Sequence, residues 1–170
     1  MSIASVFGRQ HGIITRRQAR AEGLSNHQID RLIRVGEWVP VDRGVFRNSA
    51  VPLSWRGRVT AAVVRSNGVA SHRCAAALWG LEVVRRPQPE LTIVPSRRPP
   101  TTRGVIVHRS RLPQLDRCPL RHGIRTTPIE RTLFDCAAVV SGDVLERLVE
   151  SAIRQQLTSW QALSLSLIHI

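Results

Sequence analysis

The chain has 170 residues, 42% of them apolar, and a formal net charge of +13, enough for one medium domain or two small ones with a real core. No apolar run is long enough to span a bilayer, and no charged, apolar, small-residue leader opens the sequence, so a soluble, cytoplasmic protein is expected. The three cysteines, Cys74, Cys118 and Cys136, form no C-x-x-C pair and have no histidine at finger spacing. No disulfide framework, metal or cofactor is expected, and the thiols read as small buried hydrophobes.

The first third carries most of the information. Thr15 has the chemistry of an N-cap for Arg16–Glu22, its hydroxyl accepting from the free amide of Gln18. Gly23 ends that short helix. Ser25-Asn26-His27-Gln28 is a capping box, and the helix it opens should run to about Val35 and stop at Gly36. Two capped helices split by Gly23-Leu24 read as a helix-turn-helix.

Along the second helix Ile29, Leu32 and Ile33 share one face, while His27, Arg31 and Arg34 fall within about 60° of one another on the opposite one. That second face is the one a recognition helix presents to the major groove, and an ordinary solvated face is the alternative. Glu37–Val41 and Val45–Arg47 then form a hairpin around Asp42-Arg43-Gly44, with Pro40 suited to an edge strand. Arg43 is the expected tip contact, and Trp38 and Phe46 are expected to anchor the hairpin in the core.

The pattern changes after Pro52. Trp55–Val64 reads as a helix broken at Asn67-Gly68, and Ser71 as the cap of a second helix, His72–Trp79. Glu90–Val94, Gly104–His108 and Ile124–Thr126 look like strands. Between the first two lies the basic, proline-rich loop of residues 95–103. Thr127-Pro128-Ile129-Glu130 has the form of a helix start, with threonine at the N-cap, proline at N1 and glutamate at N3. Leu133, Phe134, Ala137 and Val140 mark its buried side. Asp143 should cap a further helix with Val144, Leu145, Leu148, Val149 and Ala152 as apolar positions. The alternation of serine with aliphatics over Leu163–Ile170 resembles a strand, and residues 164–170 read as a non-native or truncated tail.

Every basic side chain is an arginine, a donor suited to bidentate contacts with phosphate and guanine. Eight arginines against four acids give residues 1–47 a net +4, fourteen against three give residues 48–125 a net +11, and three against five leave residues 126–170 at −2. The strongest field therefore lies beyond the helix-turn-helix, and an acidic partner protein competes with nucleic acid as its explanation.

Gly12-Ile-Ile-Thr-Arg-Arg-Gln-Ala, Arg43-Gly-Val-Phe, Ser71-His-Arg-Cys-Ala-Ala-Ala-Leu-Trp-Gly-Leu, Val107-His-Arg-Ser-Arg-Leu and Gly123-Ile-Arg-Thr-Thr-Pro-Ile-Glu-Arg-Thr-Leu-Phe-Asp-Cys-Ala resemble successive motifs of actinobacterial AbiEi-type antitoxin-domain proteins. The resemblance covers about residues 10–163. It implies an α+β chain: an N-terminal winged helix-turn-helix over residues 1–50, then a small mixed α/β antitoxin-like domain over 51–163 that ends in helices. It further implies operator binding with autorepression, and antagonism of a nucleotidyltransferase toxin without a stable complex. Many such proteins continue into a Vsr-like nuclease domain. These 170 residues hold no such segment, so its metal motif and nuclease activity are not carried over. The DNA-targeting part of a truncated protein of that kind is the second reading, and a module docking an acidic partner the third.

The expected DNA contacts are Thr15, Arg16, Arg17, Ser25, Asn26, His27, Arg31, Arg34 and Arg43. A second basic contact is expected from Arg97, Arg98, Arg103, His108, Arg109 and Arg111. No catalytic grouping competes. Ser71 and His72 are helix neighbours expected to diverge by about 100°, Arg131 and Asp135 form an ordinary i,i+4 pair, and Glu82, Glu90 and Asp116 make no nuclease motif. A phosphate loop is also lacking. The chain reads as non-enzymatic.

Overall fold

A computed structural model describes residues 2–81, 87–94, 104–110 and 118–168. The architecture is mixed α+β, and the chain divides into two compact units, the first ending at Gly68 and the second starting at Val69.

The first unit runs α1 (Ile3–Arg9), β1 (Ile13–Thr15), α2 (Arg16–Ala21), α3 (Asn26–Arg34), β2 (Trp38–Asp42), β3 (Val45–Asn48) and α4 (Trp55–Ser66). Its sheet is antiparallel in the order β1-β3-β2, with Ile14 opposite Phe46 and Pro40 opposite Phe46 on the other side. Pro40 thus sits on an edge strand, where its missing amide costs no ladder bond. Neither α1 nor β1 is among the sequence expectations, and together they turn a helix-turn-helix plus hairpin into a three-stranded winged helix.

Strand alternation sends neighbouring residues of β1 and β3 to opposite faces. Ile14 and Phe46 join Val6, Phe7, Ala19, Ile29 and Trp38 in the core under α1–α3. Ile13 and Val45 face the other way and pack with Ala61 of α4, backed by Val41, Leu53 and Val64. The sheet is therefore covered on both sides, and α4 belongs to this unit.

The second unit contains β4 (Val69–Ala70), α5 (His72–Leu78), β5 (Glu90–Ile93), β6 (Ile106–Arg109), β7 (Leu120–Arg121), β8 (Ile124–Arg125), α6 (Ile129–Ala137), α7 (Gly142–Arg154) and α8 (Trp160–Ile168). β4 pairs antiparallel with β5, and β5 pairs parallel with β6, placing Glu90 opposite Ile106 and Thr92 opposite His108. Ala70 bridges Thr126, linking the β7–β8 hairpin to the β4 edge. Ala76, Leu81, Ile129, Leu133, Cys136, Leu148, Ala152 and Leu163 form the helical core. Burial pushes the thiols of Cys74 and Cys136 up to about 12, so both behave as inert apolar groups.

Several local expectations are corrected. Thr127 is not the cap of α6: its amide donates to the Ala70 carbonyl and its carbonyl accepts from Trp79 Nε1, each at 2.9 Å, which keeps it in the extended segment. Pro128 takes the N-cap position, the Thr127 hydroxyl bonds that of Thr132, and Glu130 accepts from Thr158. Ala137 is exposed, and the buried side of α6 instead includes Thr132, Asp135 and Cys136. Ser141, not Asp143, occupies the N-cap position of α7, with Asp143 in the first turn. The serine–aliphatic alternation after residue 163 is helical, not a strand, and α8 runs to Ile168.

Gly12 and Gly36 share a left-handed φ of +78°, but a Cβ on Gly12 would meet Val51 Cγ1 at 2.7 Å while one on Gly36 meets nothing within 4 Å. Gly36→Ala should cost about 1 kcal/mol through backbone strain alone. Gly12→Ala should cost about 1–3 kcal/mol more through the added clash. Urea unfolding of the two variants checks this, and equal losses would contradict it.

Candidate nucleic-acid interface

Both helices of the helix-turn-helix start as their sequences dictate. Thr15 Oγ1 accepts from Gln18 N at 3.1 Å while Gln18 Oε1 accepts from Thr15 N at 2.9 Å, and Ser25 and Gln28 repeat the exchange at 3.1 and 2.8 Å. Each box satisfies two amides that the first helical turn leaves without partners. Ile29, fully buried, and the partly buried Leu32 and Ile33 hold α3 on the core, which fixes the opposite side outward. Ser25, Asn26, His27, Arg31 and Arg34 are all exposed on that side or at its start.

The wing is the β2–β3 hairpin. Its turn places exposed Arg43 beside Gly44, which takes a left-handed φ of +70°, and Asp42 Oδ1 accepts from the Arg43 amide. The Arg16 amide donates to the Gly44 carbonyl at 2.9 Å, tying the wing turn to the start of α2. Among the described residues no carboxylate pairs with Arg17, Arg31, Arg34 or Arg43. Arg16 differs. Its Nη2 lies 2.7 Å from Asp30 Oδ1 and its guanidinium 5.4 Å from the Phe46 ring centre, so it braces α2 against α3.

The second expected basic contact is only partly brought together. Arg97, Arg98, Arg103 and Arg111 lie outside the described residues, as do Glu82 and Asp116. His108 and Arg109 are strand neighbours on opposite faces of β6. Arg109 is exposed, whereas His108 Nε2 meets Glu90 Oε1 at 2.8 Å and its ring stacks on His72 at 3.6 Å.

That inward grouping escaped the sequence reading. Glu90 is 1% exposed at its side chain and is held by Arg73 as well, through the backbone amide at 3.2 Å and Nε at 3.0 Å. Burial alone would raise the Glu90 pKa, but the hydrogen bonds from Arg73 and His108 outweigh it and hold the carboxyl below its ordinary range. Burial keeps the His72 ring below its usual pKa. Ser71 makes no cap bond, contrary to expectation. His72 adopts a φ of +50°, which turns its ring back so that Nδ1 lies 2.9 Å from Ser71 Oγ. Arg131 and Asp135 do form the expected i,i+4 pair, at 2.7 Å.

Residues 1–49 match the family described as a transcriptional regulator, AbiEi antitoxin. No curated protein matches the chain. Among solved structures, that of the RV2827C protein from Mycobacterium tuberculosis is similar over 87% of this chain and 70% of that one, at 17% identity and a TM-score of 0.49. Among the described residues no helix is long and apolar enough to cross a membrane.

Ser25 sits where the outward face of α3 begins, so its cap supports that face directly. Ser25→Ala should lower stability by about 1 kcal/mol and Ser25→Asp should retain most of it. Chemical denaturation of both variants reads the difference, and equal stability of all three proteins would contradict the capping role.

Proposed function

We propose that this protein is a DNA-binding transcriptional autoregulator and antitoxin of a type IV toxin–antitoxin system, acting against a nucleotidyltransferase toxin. The observation that carries the DNA half is the outward face of α3. His27, Arg31 and Arg34 stand exposed on it, opposite the apolar side that packs on the core. A helix of this diameter with donors on its free side fits the major groove, and guanidinium groups there bond guanine edges or phosphate. Arg43 at the wing turn and Arg17 at the start of α2 add backbone contacts, which position the helix without reading sequence. Asn26 adds a donor at the N-terminus of α3.

Thr15 and Ser25 act in this scheme through the helix starts they cap. Arg16 adds an exposed ion pair with Asp30 between α2 and α3, whose packing is set by the shared apolar core. Of the two described residues of the second basic group, Arg109 is the exposed one and could meet a phosphate by itself. The antitoxin half rests on the family matched by residues 1–49, whose description names both regulation and antitoxin activity.

A mobility shift on the gene's own upstream region tests the DNA half. Arg31→Ala with Arg34→Ala should weaken binding at least tenfold, since each base contact is worth about 1–3 kcal/mol. The affinity of the parent should fall steeply between 50 and 200 mM salt, as counterion release requires. Unchanged affinity in the double variant would remove the assigned face. In co-expression with the nucleotidyltransferase toxin that this proposal requires, the same double variant should still suppress toxicity. Loss of suppression at a normal protein level would contradict a division of the two roles.

A further inference from the structure

The second unit contains a buried polar grouping that DNA binding does not use. His72 comes from the start of α5, Glu90 from β5 and His108 from β6, and one donor atom of each lies within 4.8 Å of the others. His72 and Glu90 are buried and His108 is half-buried. We propose that His72, Glu90 and His108 bind one divalent transition-metal ion of the zinc class.

Two imidazoles and a carboxylate are a donor set such ions favour over magnesium or calcium, with bonds of about 2.0–2.2 Å to each. Two of the three groups have outer partners of the kind a metal site uses. In the tautomer in which His72 Nδ1 donates to Ser71 Oγ, 2.9 Å away, the lone pair is on Nε2, and no hydrogen bond occupies that atom among the described residues. A ligating histidine is commonly oriented by such a second bond from its other nitrogen. Arg73 holds Glu90 Oε2 through its backbone amide at 3.2 Å and Nε at 3.0 Å, and reaches Oε1 more weakly through Nη2 at 3.3 Å, while Oε1 also lies 2.8 Å from His108 Nε2. An ion replaces the proton shared by that pair and opens the gap to about 3.3 Å, the separation of two donors on one tetrahedral centre.

A second observation points the same way. Asp135 is 7% exposed, its Oδ2 is buried with no hydrogen-bond partner, and its charge acts on the His72 ring. Thr92 Oγ1, opposite His108 in the β5–β6 register, is likewise buried and without a partner. Arg131 pairs with the other Asp135 oxygen at 2.7 Å, so Oδ2 and the Thr92 hydroxyl are the atoms left without partners, and buried polar atoms of that kind are costly to leave unmet. The left-handed backbone at His72, φ +50°, is the conformation that turns its ring into the group.

The test is a titration of the full-length, untagged, chelator-treated protein with Co2+, read by its visible absorption, and with Zn2+, read by calorimetry. One equivalent should bind, with the absorption of a low-coordinate cobalt centre. His108→Ala and Glu90→Gln should each weaken binding about 100-fold or more, since even loss of an outer partner costs about 10–100-fold. Arg109→Ala, on the other face of β6, should bind as the parent does. His108 is half-buried, so His108→Ala keeps the test decisive if Glu90→Gln does not fold. Absence of saturable one-equivalent binding by the parent would overturn the site, as would parental affinity in His108→Ala. DNA binding by the winged helix is independent of either result.

Discussion

Trp38 opens β2 at 4% exposure, edge-on to Phe7 at a centroid distance of 5.5 Å and tilted against Phe46 at 5.9 Å. Aromatic contacts of this kind combine large apolar burial with a preferred geometry. Here they join α1, the wing and the core face of α3 in one cluster, where Ile29 is fully buried. The wing cannot swing away from α3 without opening that cluster. Because α3 must keep Ile29 inside, the helix has one rotational setting, and His27, Arg31 and Arg34 are carried outward by it. The orientation of the charged face is thus set by apolar packing on the far side of the helix.

What was legible in the sequence is what local chemistry decides. Ser25 and Gln28 meet within four residues, as do Thr15 and Gln18, so both boxes could be read directly and both are present. Gly23, Gly36 and Gly44 mark left-handed turns where the chain changes direction. The less visible parts depend on distant partners. β1 is three residues long and is a strand because β3, 30 to 34 residues later, supplies its ladder. Thr127 looks like a cap in sequence, but Ala70 and Trp79 hold it in extended backbone.

The same limit hid the inward polar group. His72, Glu90 and His108 are 18 residues apart in each step and sit in three different elements. No spacing rule for metal ligands or catalytic groups recognises such an arrangement. The parallel pairing of β5 with β6 brings Glu90 and His108 to one face, and the unusual backbone at His72 adds the second ring. Strand alternation also separates His108 from Arg109, so the basic character of that stretch divides between an inward and an outward role.

The direct measurement of the central claim is nuclear magnetic resonance of the arginine Nε–H groups during titration with the upstream duplex. The account requires the Arg31 and Arg34 signals to shift or broaden first, with Arg43 following, while Arg73 stays put. Movement confined to Arg73 and Arg109, with the α3 signals unchanged, would show that the winged helix presents a different surface to DNA.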